Sequence, residues 1–167
     1  MKGVPRPAAD PESIRSAARI IKAGGLVAFP TETVYGLGCD AMNADAAAKV
    51  FEAKQRPQFD PLIVHIADPQ QLNIVIGSLP VLGQRLMDAF WPGPLTLVLS
   101  KQQAIPDLVT AGLSTVAVRM PNHPVAQALI REAGTPIAAP SANPFGYVSP
   151  TTAQHVADGL GNKADLI

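Results

Sequence analysis

One cysteine, eight aromatic side chains and no net charge are what this 167-residue chain has little of. A single thiol, Cys39, excludes a disulfide framework and a thiolate metal site. The three histidines, His65, His123 and His155, share no metal-ligand spacing, and no aspartate-rich cluster occurs, so no metal site built from protein side chains is expected. Thirteen Lys and Arg balance thirteen Asp and Glu, which removes the basic excess of a non-specific nucleic-acid binder and leaves room only for a local basic groove and weak tRNA contact. No apolar run approaches the ~20 residues of a membrane helix, and the start lacks a basic-then-apolar signal pattern. A soluble, cytoplasmic protein without membrane partners is expected. There is no Gly-x-x-x-x-Gly-Lys-Ser/Thr loop and no Gly-x-Ser-x-Gly elbow, which excludes a P-loop NTPase and a serine hydrolase of that type.

Proline, by contrast, is abundant, with 17 residues placed mostly between apolar runs, a pattern of shaped loops. Asp10-Pro11 reads as a helix start, with Ile14, Ala17, Ala18 and Ile21 at helical spacing and Gly24-Gly25 as the stop. Residues 26–29 read as a buried strand. Asn43 or Asp45 caps a second helix that ends by Arg56, because the residue before Pro57 leaves the α region. Residues 62–66, 95–99, 115–118 and 137–139 read as further strands. Helices are expected from Asp68-Pro69, around Leu82, Leu86, Ala89 and Phe90, from Asn122 to about Ala133, and from Thr151 or Thr152 to about Leu160. Alternating strands and helices predict an α/β fold, read as one domain over residues 1–167.

Four loops after apolar strands collect polar residues where an open α/β sheet places its ligands. Residues 30–38, with Thr31, Glu32, Thr33, Gly36 and Gly38, suit either a small polar substrate or a turn with a capping threonine. Lys54 and Arg56 project to one side if the helix unwinds there, making a clamp for phosphate oxygens; the alternative is two cations at a helix C-terminus. His65 lies opposite Val64 and Ile66 on its strand, a position typical of a hydrogen-bonded core histidine. Arg119 closes a strand before Met120-Pro121, placed either to hold a carboxylate or to form a surface salt bridge. Ser141 and Asn143 offer hydroxyl and amide groups two residues apart, or form a turn stiffened by Pro140 and Pro144.

Taken in order, PTETVYGLG, KQRP followed by PLIVHI, FWPGPLTLVL, VAVRMPNHP and APSANPFGYVSPTTA resemble the YrdC-like family of threonylcarbamoyl-AMP synthases over about residues 24–155. The resemblance implies a single open twisted mixed sheet with flanking helices and a large concave groove. By matching position it implies that Thr33, His65, Arg119 and the backbone at Ala139 hold L-threonine. It places Arg56, Asp60, Thr115, Ser141 and Ser149 at ATP, and the Lys-x-Arg and Ser-x-Asn elements on Lys54, Arg56, Ser141 and Asn143. The implied reaction joins the threonine amine to bicarbonate, and the resulting carboxylate attacks the α-phosphate of Mg²⁺-bound ATP. Threonylcarbamoyl-AMP and pyrophosphate follow, and a tRNA-modifying threonylcarbamoyl transferase machinery takes the product. Nucleophile and leaving group both come from substrates, so the protein needs alignment and charge compensation rather than a nucleophile of its own.

Three departures from the family pattern stand out. Asp60 replaces an Asn or His, Phe145 a small residue, and the chain ends at Ile167, short of a glycine-rich segment and a further strand; a second domain is not expected. A non-catalytic RNA-binding module and a carbamoyl-adenylate-forming domain are the alternative readings.

Overall fold

A computed structural model describes residues 10–167; the first nine residues of the expected single domain lie outside the described residues. Helix α1 (Pro11–Lys22) starts where Asp10 accepts the backbone N–H groups of Glu12 and Ser13, both at 2.9 Å, and it buries Ala17, Ala18 and Ile21. Strand β1 (Val27–Phe29), the loop 30–35 and strand β2 (Gly36–Asp40) follow. Helix α2 (Ala44–Lys54) is capped by Asn43, and Gln55 ends it in the left-handed region at φ 53°. After β3 (Ile63–His65) come α3 (Leu72–Val75), α4 (Val81–Phe90), β4 (Thr96–Ser100), β5 (Thr115–Arg119), α5 (Pro124–Ala133), β6 (Ile137–Ala138) and α6 (Ala153–Leu160). Among the described residues no helix is long and apolar enough to cross a membrane.

Three expectations need correction, and the expected helix around Leu82 shows its buried face. Gly36–Asp40 is a strand, although Gly-Leu-Gly-Cys carries no β-branched signal; it forms because Gly36 and Gly38 let Phe29 lie flat on them while Leu37 and Cys39 fill the other face. The helix starting at Asp68-Pro69 is a 3₁₀ turn (Pro69–Gln71) running into the short α3. Residue 122 does not cap α5: His123 does, its Nδ1 accepting the Val125 N–H at 3.3 Å. Helix α4 is present as expected; Leu82 and Phe90 on it are exposed, at 67% and 55%, and Gly83 and Met87 face inward. Gly83 packs closely there: an ideal Cβ would meet the tip of the Leu79 side chain at 3.0 Å.

The six strands form one mixed sheet in the order β1-β2-β6-β3-β5-β4, parallel only between β3 and β5. One face is covered throughout by α2, α3, α4 and α6, which pack on Leu37, Val64, Leu97, Leu99, Val116 and Val118. The other face is covered at one end only. There α1 and α5 pack together over Val27, Phe29, Ile137 and Ala139. Beyond them Ile63, Ala117, Thr115 and Thr96 are half-buried, and Val98 is 66% exposed. This bare half-face is where the resemblance puts the floor of a concave groove.

The β1–β2 hairpin has no space beneath Phe29. A Cβ on Gly38 would lie 2.6 Å from Phe29 Cε1 and 2.7 Å from Ile137 Cγ2. Gly38→Ala is expected to lower stability by roughly 1–3 kcal/mol through overpacking, read as a lower urea midpoint with an unchanged slope. An unaltered midpoint would show that the close packing is not there.

Candidate active site

Strand pairing assembles the first half of the site. His65 is in register with Arg119 across the parallel β3–β5 pair and with Ile137 across β3–β6, so the three side chains share the partly bare face. Thr96 is the Arg119 partner on β4. The loop 30–35 then arches over the sheet. Thr31 Oγ1 accepts the N–H of Thr33 and of Val34 and donates to the Val34 carbonyl, a local turn that presents Glu32 and Thr33. The buried Arg119 guanidinium donates to Thr33 Oγ1 at 3.2 Å and to the Gly93 carbonyl at 3.3 Å, and pairs with Glu32 at 2.7 Å.

Charge in this corner is mutually fixed. Burial pushes the Glu32 carboxyl up, but hydrogen bonding from Arg119 and from the backbone at Asn122 outweighs it, so Glu32 stays below the usual carboxylate range. Burial, and then the Arg119 charge, push His65 down to about 4. His65 is therefore neutral at pH 7, with Nδ1 3.1 Å from the Ile63 carbonyl, an acceptor that assigns the proton to Nδ1. Its ring meets Phe29 edge to face, with centroids 6.1 Å apart.

Lys54 organises the second half. It is 1% exposed, and its ammonium donates to the backbone carbonyls of Ser141 and Asn143, while the Phe145 N–H donates to the Lys54 carbonyl at 2.9 Å. Burial, with Arg56 acting in the same direction, brings the ammonium down to about 8. The loop after β6 is held from its other side by β2. Leu37 donates to Pro140 at 2.9 Å, Ala142 to Tyr35 at 2.8 Å, and Ser141 bridges Gly36. Continued alternation from Ile137 and Ala139 puts Ser141 on the groove face. Asn143 turns inward: its amide donates to the carbonyls of Pro144 and Tyr147 at 2.9 and 2.7 Å, and its buried Oδ1 has no hydrogen-bond partner.

Arg56 lies on the loop after α2. It donates to the carbonyls of Asp60 and Pro61, both at 3.1 Å, pairs with the Asp60 carboxylate at 2.8 Å, and sits 5.9 Å from the Phe145 ring centre.

Several site expectations change in detail. Helix α2 continues through Lys54 instead of unwinding, so Lys54 and Arg56 do not project together from extended chain; the Lys54 ammonium reaches the carbonyls of the Ser141 loop. Ser141 and Asn143 do not face one way, because the Asn143 amide closes its own turn. Thr115 shares the groove face of β5 with Arg119, four residues or about 13 Å along the strand. Ala139 stands beside Ile63, its N–H donating to the Ile63 carbonyl at 2.9 Å, and Ser149 precedes Pro150, whose carbonyl accepts from Tyr35 at 2.8 Å. Sequence reasoning did not assign roles to the Glu32 ion pair, the Gly93 carbonyl or the Phe145 ring. Their only sequence signal was a carboxylate between two threonines and a bulky residue in a small-residue position.

Comparison with known proteins points one way. The profile of the Sua5/YciO/YrdC family, described as telomere recombination, matches residues 19–167. The threonylcarbamoyl-AMP synthase of Bacillus subtilis is 57% identical over 155 residues, 92% of this chain and 44% of that protein. The synthase of Halorhodospira halophila is 38% identical over 161 residues, 96% of this chain and 84% of that protein. Among solved structures, Pyrococcus abyssi Sua5 complexed with L-threonine superposes with a TM-score of 0.94 at 50% identity, covering 98% of this chain and 48% of that one. Full-length HypF, at 22% identity and a TM-score of 0.78, shares the fold. The chain spans less than half the length of the first curated relatives it matches.

His65 gives the corner a measurable signature. Its folded value of about 4 lies below its unfolded value, so the unfolded chain takes up the proton first, and stability present above pH 6.5 is lost as pH falls toward 4. Urea unfolding is expected to show a loss of about 2 kcal/mol between pH 7 and pH 5 that is absent in His65→Gln. The same pH slope in both proteins would place the histidine outside the buried corner.

Proposed function

The chain belongs to the Sua5/YciO/YrdC family, and on that footing we propose that it makes threonylcarbamoyl-AMP and pyrophosphate from ATP, L-threonine and bicarbonate in the cytoplasm. The observation that carries the reading is the convergence of the Glu32–Thr33–His65–Arg119 corner and the Lys54-held Ser141 loop on the same groove face. L-threonine occupies the first, where Arg119 and Thr33 offer donors, the backbone at Ala139 offers its carbonyl as an acceptor, and neutral His65 adds no charge. The nucleotide occupies the second, against Arg56, Asp60, Thr115, Ser141 and Ser149.

The chemistry asks little of the side chains. The threonine amine adds to bicarbonate, and the carboxylate so formed displaces pyrophosphate from the α-phosphate. The chain contributes alignment of the two ligands and donors around phosphorus, with Ser141 fixed from both sides of its loop. Mg²⁺ supplies charge neutralisation when it arrives with ATP. The carboxylate at Asp60 and the small number of cations at this end fit a nucleotide bound as its metal complex. The product, a mixed anhydride, passes to a tRNA-modifying threonylcarbamoyl transferase machinery.

Pyrophosphate release from ATP should require both threonine and bicarbonate. Omitting either should abolish it, and release independent of threonine would sink the reading. Replacing Arg119 by Lys keeps the charge but loses the forked donor geometry. It is expected to raise the KM for threonine on the order of a hundredfold while leaving ATP binding within about twofold. Equal losses for both substrates would make Arg119 a purely structural residue.

A further inference from the structure

Resting on the placement of the nucleotide beside Arg56, the geometry points to a role for Asp60 that its ion pair conceals. Arg56 has more partners than it needs to stay in place: the carbonyls of Asp60 and Pro61, each 3.1 Å away, and the Phe145 ring at 5.9 Å hold it without the carboxylate. The carboxylate pair at 2.8 Å neutralises the Arg56 charge, and the neighbouring Lys54 ammonium is bound to the carbonyls of Ser141 and Asn143. A metal-free triphosphate entering here meets an aspartate and a guanidinium whose charge is already cancelled.

Asp60 also has what a magnesium ligand requires. Its side chain is 37% exposed at the loop surface, Oδ2 makes the ion pair, and Oδ1 has no protein donor among the described residues. Among the described residues no group of three or more His, Cys, Asp or Glu side chains could hold a metal alone. A single hard oxygen ligand combined with phosphate oxygens is the usual way Mg²⁺ is bound beside a nucleotide. We propose that the Asp60 carboxylate is a ligand for the divalent cation of the bound nucleotide, and that turning to the metal frees Arg56 for phosphate oxygens. In the absence of the metal the same carboxylate holds Arg56 and opposes nucleotide entry. Asp60 thereby makes the site selective for the metal complex over free ATP.

The test is calorimetric titration of ATP, with threonine left out, into the protein and its Asp60→Asn and Asp60→Glu variants, each in excess Mg²⁺ and in chelator. The chain as it stands should bind ATP about tenfold or more tightly with Mg²⁺ than without. Asp60→Asn should bind metal-free ATP about fivefold more tightly than the parent and gain less than about threefold from Mg²⁺, whereas Asp60→Glu should keep most of the metal dependence. Electron paramagnetic resonance with Mn²⁺ and ATP gives an independent reading: the spectrum of the bound metal should differ between the parent and Asp60→Asn. Equal metal dependence in all three proteins, or identical Mn²⁺ spectra, overturns the proposal while leaving the nucleotide site intact. Failure of every protein to bind ATP in either condition overturns it together with the placement of the nucleotide.

Discussion

Helices α1 and α5 pack on each other as tightly as on the sheet, and together they reach only across β1, β2 and β6. The opposite face has four helices and is sealed. A mixed sheet of six strands with one half-face left bare has to be polar or shallow there, and the pattern on β3, β4 and β5 obeys this. Val64, Val116 and Val118 point into the sealed layer, while Ala117, Thr115 and Thr96 look out. Apart from Lys54, which reaches the Ser141 loop from the end of α2, the polar groups described above are on that bare half-face or on loops around it.

Arg119 and His65 are the exceptions that define one end of the groove, because both are buried on a face whose neighbours are open. An arginine in that position is tolerable only with partners in place, and Glu32, Thr33 and the Gly93 carbonyl supply them. The arching loop 30–35 is thus tied to β5 and to the loop before β4 by one side chain. At the other end the buried ammonium of Lys54 does the equivalent work for the Ser141 loop. Removing it would leave two carbonyls without donors in a region that excludes water. The two ends therefore share a design in which a cation on regular structure fixes a loop, and the loop presents the hydroxyls.

The Asn143 amide shows where matching a motif and reading its geometry diverge. The residue sits where a nucleotide contact was expected, yet both its N–H groups close the turn from 143 to 147. Arg56 is likewise shaped by a near neighbour, since the Asp60 carboxylate pairs with its guanidinium.

The α/β class, α1, α2, α5 and α6, and most strands were legible in the sequence, because capping residues, glycine stops and apolar periodicity act over a few residues and leave a local signature. Helix α4 was legible in extent but not in its inward face, and β2 was not legible at all, because close packing against Gly83 and Gly38 depends on neighbours far along the chain. The residue types at the site were visible for the same local reason: Thr33, Arg56, His65, Arg119 and Ser141 lie in loops and strand ends with unmistakable turn chemistry. What the sequence could not contain is who meets whom. That Arg119 pairs with Glu32 and that Lys54 binds carbonyls 87 and 89 positions away were decided by strand order and by loops crossing a bare half-sheet. Those are long-range contacts, and only the folded chain brings them within bonding distance.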